Sequence, residues 1–114
     1  MAHFYTYETV DIPLVFEPDG CLENYKHIIV SIKQKGSVQI DKAEDVLGID
    51  IENNTINVSL SQEETAQFKG GTETNPKTAE IQVNIYYTNT DRDVSTKKTI
   101  NVYDNLYEKV IDSA

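Results

Sequence analysis

The chain has no tryptophan, one cysteine, one methionine, three prolines and five glycines among its 114 residues. A single cysteine excludes an internal disulfide, so a packed core and hydrogen bonds must hold the fold. Cys21 follows Pro18-Asp19-Gly20, a turn sequence, and reads as a bystander thiol. The alternative, a Cys21–His27 nucleophilic pair, has only that one histidine within reach along the chain. His3 and His27 with one cysteine fall short of the three or four ligands of a zinc site. Glycine-rich phosphate loops are missing too, because Gly70-Gly71 runs into Thr72-Glu73 with no lysine to meet a phosphate. These absences point to no cofactor and no metal.

Bases are also scarce. Ten Lys and Arg stand against nineteen Asp and Glu, a formal charge of −9, and only Lys97-Lys98 are adjacent. Such a surface repels phosphate backbones and anionic bilayers, which excludes nucleic acid and membrane as partners. The longest apolar runs, such as Ile28-Ile29-Val30, are far below the ~20 residues that cross a bilayer. Met1-Ala2-His3-Phe4-Tyr5 lacks the basic and apolar regions of a secretory signal, so the expectation is a soluble protein used without export.

What is present is a period of two. Val10, Ile12, Leu14 and Phe16 alternate with Thr9, Asp11, Pro13 and Val15, and Pro13 makes that strand an edge or one broken between sheets. Ile28, Val30 and Ile32 alternate with Ile29, Ser31 and Lys33, Gly36 marks a turn, and Val38 and Ile40 begin a partner strand. Asp41 to Val46 reads as a loop or one helical turn. A two-residue type I′ turn at Asn53-Asn54 would pair Glu52 with Thr55, Ile51 with Ile56 and Ile49 with Val58. Ser61 and Glu64 form a capping box at the head of a short helical turn over 61–68. Gly70-Gly71 ends it, and the polar run to Lys77 is expected to be a mobile loop.

The clearest strand follows, with Ile81, Val83, Ile85 and Tyr87 inward and Glu80, Gln82, Asn84 and Tyr86 outward. Asn89 to Asp93 is a hairpin loop, and the return strand carries Ile100 and Val102. Lys98 shares their parity, which implies a bulge or an exit from the core. Leu106, Tyr107, Val110 and Ile111 behind Asp104 have the spacing of a short C-terminal helix. One domain over 1–114, about seven short strands and a capped corner predict an immunoglobulin-like antiparallel β-sandwich. The tryptophan and paired cysteines of antibody domains are missing, so the expectation concerns architecture alone.

The acids give no metal motif. Asp91-Arg92-Asp93 lacks the glycine and downstream acid of a calcium loop, and Asp41, Glu44, Asp45, Asp50 and Glu52 read as solvated. A spatial carboxylate pair of the kind that cleaves glycosides is a further enzymatic alternative, and no motif favours it. Tyrosine is the enriched aromatic, with seven residues against three Phe. Ile29, Tyr86 and Tyr103 take outward parity and, with Leu106 and Tyr107, make the candidate interaction surface. The Phe4-Tyr5-Thr6-Tyr7 segment is a second docking candidate, onto its own domain or a neighbour.

The order of elements resembles small prophage-encoded proteins of Gram-positive gut bacteria, found among phage structural genes. The resemblance is carried by Ile12-Pro13-Leu14-Val15-Phe16, by the run from Tyr25 to Gly36, by Leu60-Ser61-Gln62-Glu63-Glu64-Thr65, by Ile81-Gln82-Val83-Asn84-Ile85, and by a Val102 strand before Val110-Ile111. It implies a non-enzymatic virion or assembly component in the host cytoplasm or the particle, docking to itself or to other phage proteins. The Gly70–Thr78 insert is longer than the resemblance leads one to expect. A receptor- or carbohydrate-binding module, with Tyr86 and Tyr103 as one sugar platform, is the rival expectation.

Overall fold

The computed structural model of the chain describes residues 3–16, 22–36, 38–87 and 97–109, and the backbone of 92–94. Cys21 and its turn, residues 89–91 of the expected hairpin loop and Val110-Ile111 lie outside the described residues, while Arg92 and Asp93, expected in that loop, are strand.

Two sheets face each other as an all-β sandwich. The larger contains β1 (His3–Tyr5), β3 (His27–Gln34), β4 (Val38–Ala43), β7 (Lys77–Tyr86), β8 (Arg92–Val94) and β9 (Lys98–Tyr103). Their order is β1-β9-β7-β3-β4, with β8 also pairing β7. The smaller is β2-β6-β5, from β2 (Val10–Val15), β5 (Gly48–Asp50) and β6 (Thr55–Leu60). In immunoglobulin terms β2, β6 and β5 take the places of strands B, E and D, and β9, β7, β3 and β4 those of G, F, C and C′. One pairing departs from a purely antiparallel sandwich: β1 runs parallel to β9, with Tyr5 opposite Tyr103. The chain passes from β1 in one sheet to β2 in the other, and Tyr7 turns it with a φ of 63°.

The core is what the alternation dictates. Ile28, Val30 and Ile32 on β3, Ile81, Val83 and Ile85 on β7, and Ile100 and Val102 on β9 are buried from one sheet. Ile12, Leu14, Ile56, Val58 and Leu60 meet them from the other. Pro13 sits on an edge strand, since among the described residues β2 pairs only with β6. Lys98 is exposed, and the register steps by one residue between Ile81↔Lys98 and Asn84↔Val94, the signature of a bulge.

The corner between sheets is α1 (Gln62–Thr65). Ser61 Oγ accepts from the Glu64 amide at 3.2 Å, and Glu64 Oε1 accepts from the Ser61 amide at 3.0 Å, so the capping box is complete. Thr65 is fully buried, with Oγ1 2.8 Å from the Glu8 carbonyl, and Phe68 packs edge-on against Phe4. Asp41 to Ala43, expected in a loop or helical turn, extend β4 against β3, and only Glu44–Val46 form a 3₁₀ turn before β5.

Three further expectations need correction. The 48–57 hairpin pairs Ile49 with Ile56 and Asp50 with Thr55, which leaves a four-residue turn, Ile51 to Asn54. Asp50 causes this: its carboxylate accepts from the Asn53 amide at 3.2 Å and from Asn53 Nδ2 at 2.7 Å. That local bonding widens the turn, and of the two asparagines only Asn54 takes a positive φ, 53°. The two-residue slip keeps the paired side chains on their expected faces, but it moves Ile51 out of the ladder into the turn, where it is exposed. Second, Asp104 to Lys109 is not helical. The Asp104 amide donates to Gly71 O, Asn105 to Thr6 Oγ1, and Tyr107 to Asn105 Oδ1, an arrangement that holds the segment irregular. Third, the segment after α1 is tied down. Gly71 bridges Tyr103, and Thr72 and Asn75 exchange backbone hydrogen bonds of 3.2 Å.

Candidate interaction surface

Outward positions of the six-stranded sheet form one polar face. Across it run Glu80 opposite Lys33, Gln82 opposite Ser31, Asn84 opposite Ile29 and Tyr86 opposite His27. Two aromatic groups interrupt it. His27 and Tyr86 meet edge-on with centroids 6.4 Å apart. His3, Tyr5 and Tyr103 form a triangle: Tyr5 to Tyr103 is 5.3 Å, His3 to Tyr103 5.7 Å and His3 to Tyr5 6.1 Å.

The two groups are far apart. Tyr103 lies one place beyond Val102, which pairs with Lys77, while Tyr86 ends the same ten-residue strand. At ~3.3 Å per residue, about 30 Å separates them along the strand. Tyr86 and Tyr103 therefore form no common platform. Ile29 is half-buried between Ala43 and Asn84. Leu106 is wholly exposed and Tyr107 exposed, on an irregular segment instead of a helix face.

The Phe4–Tyr7 segment divides its labour. Phe4 and Thr6 dock into their own domain, fully and nearly fully buried, while His3 and Tyr5 face outward. Sequence reasoning missed His3 and His27 as aromatic partners. Parity could have placed His27 beside Tyr86, but nothing local could have placed His3 and Tyr5 beside Tyr103.

The acids are spent separately. Asp41 accepts from Ser31 Oγ at 2.6 Å, Asp50 holds its turn, and Glu44 accepts from the Ile28 amide at 3.1 Å and lies 2.9 Å from His27 Nδ1. The His27 hydrogen bond, then the Glu44 and Ile28 amides, hold the Glu44 carboxyl below its ordinary range. Glu64 is pushed up by burial, but the Lys42 ion pair at 2.6 Å and the Ser61 amide outweigh this and leave it lowered. Around the triangle, the Tyr5 hydroxyl donates to Glu73 Oε1 at 3.4 Å and the Tyr5 amide to Glu8 Oε1 at 3.0 Å. Desolvation, then Glu73, raise the Tyr5 hydroxyl above its ordinary value.

Among the described residues no three His, Cys, Asp or Glu side chains are grouped to hold a metal ion, and no helix is long and apolar enough to cross a membrane. Comparison with known protein families gives no matching family model. A search of curated proteins gives no match either.

Proposed function

We propose that the chain is a non-enzymatic structural or assembly module of a phage or prophage particle, working by contact with copies of itself or with other particle proteins. The phage assignment rests on the resemblance in element order. The contact role is supported by one observation, the spread of the aromatic groups over one sheet face. A standard protein interface of about 800 Å² per partner is roughly 30 Å across. One protein partner can span both groups, whereas a single sugar cannot reach from one to the other.

Mass spectrometry of particles purified after prophage induction tests the assignment. The chain should be found in particles or in assembly intermediates, and its absence from both sinks the reading. The carbohydrate reading keeps one specific support, the Tyr5–Tyr103 pair with Glu73 beside it. A glycan array on which binding disappears with Tyr103→Ala would favour it, and a flat array would count against it.

A further inference from the structure

The His3–Tyr5–Tyr103 triangle has the composition of a receptor for a cation. Tyr5 and Tyr103 are cross-strand partners, tilted 39° to each other, and His3 stands edge-on to both. Their backbones are fixed from beneath, because Phe4 and Val102, the alternating neighbours, are fully buried. Aromatic faces carry partial negative charge and attract guanidinium and ammonium groups. Two carboxylates flank the rings: Glu73 on the Tyr5 hydroxyl and Glu8 on the Tyr5 amide. Glu73 is placed there by a built loop, whose Gly71 amide donates to Val102 O at 3.0 Å and whose Gly71 O accepts from Asp104 at 2.8 Å. A formal charge of −9 adds long-range steering for a basic partner.

Resting on the contact role proposed above, we infer that this patch docks an arginine-bearing segment of a partner protein. The guanidinium plane stacks on Tyr5 or Tyr103 while its N–H groups meet Glu73. Arginine suits the patch better than lysine, since a planar, weakly hydrated cation can stack and donate in its own plane at once.

The test is an amide NMR titration of the full chain with the peptide acetyl-Gly-Arg-Gly-amide, with its lysine and glutamate counterparts and a neutral disaccharide as comparisons. Saturable shifts are expected at Tyr5, Glu73 and Tyr103, strongest for arginine, lost in high salt and absent for glutamate. Tyr103→Ala and Glu73→Gln should each weaken binding about two- to fivefold, the range of an exposed cation–π contact. Tyr103→Phe keeps the ring and should bind as the parent does, which covers any folding defect in Tyr103→Ala. Non-saturating shifts over the whole acidic surface overturn the inference, as does arginine binding unchanged by both Tyr103→Ala and Glu73→Gln. If the same residues respond to the disaccharide and not to arginine, the patch belongs to a carbohydrate. Particle composition is read separately, so failure of this site and failure of the phage assignment are distinguishable.

Discussion

Gly70 and Gly71 stand where a side chain would collide with backbone. A Cβ on Gly70 would lie 2.5 Å from Tyr103 C and Asp104 N, and one on Gly71 2.4 Å from Asn75 O. Neither contact involves a flexible side chain that could swing away. Gly70→Ala should therefore cost about 1–3 kcal/mol through displaced backbone. Gly36→Ala meets nothing within 4 Å, so only its φ of +74° resists substitution, at about 1 kcal/mol. Urea midpoints of the two variants should rank in that order, and a Gly70→Ala protein as stable as the parent would refute the close-approach account. Gln34 shows the same economy with a polar group. Nearly buried at the end of β3, it donates to Lys69 O and accepts from the Lys69 amide, both at 2.7 Å. Those two bonds fasten the segment that leads from α1 into the glycine pair, and so help to position Glu73.

Elements made from local signals were legible in the sequence, and those made from distant ones were not. The faces of β2, β3, β7 and β9 followed from alternation, because a sandwich buries one side of each strand and parity records which. The capped corner was equally plain, since Ser61 and Glu64 serve each other within one turn. The turn at 51–54 departs from the Asn-Asn pattern, because Asp50 is an acceptor for the Asn53 amide as well as a charge. Asp50→Ala should cost about 1 kcal/mol and broaden the Asn53 and Asn54 amide signals, with the β2–β6 pairing left intact. The C-terminal spacing misled for a different reason. The amides of Asp104 and Asn105 are taken by Gly71 and Thr6, partners that no local pattern reveals. The aromatic triangle was hidden likewise, being assembled from the two ends of the chain by a parallel pairing that periodicity does not encode.

At the scale of the molecule, the described edges are closed to casual pairing. Among the described residues β1 and β5 are three-residue edges, β2 carries Pro13, and β4 turns Lys42 inward, opposite the buried Val30. Lys42→Val should open the β4 edge, strand Glu64 and raise the scattering mass at high concentration. An unchanged mass would remove Lys42 as the guard. The acidic side chains also tie the stability of the molecule to pH. Glu44, Asp50 and Glu64 are all held below their ordinary values of 4.5, 3.8 and 4.5. Each binds a proton less readily folded than unfolded, so the unfolded chain takes up more protons as acid is added. Their stabilisation is complete above about pH 5 and is lost as pH falls through the unfolded and then the lowered folded values. The denaturant midpoint should therefore drop between about pH 5 and pH 3 with little change in its slope. Glu44→Gln should begin lower at neutral pH and fall less steeply, because the His27 and Ile28 contacts no longer titrate. A parent midpoint that stays level down to about pH 3 would show that these hydrogen-bonded carboxylates do not govern the acid limb.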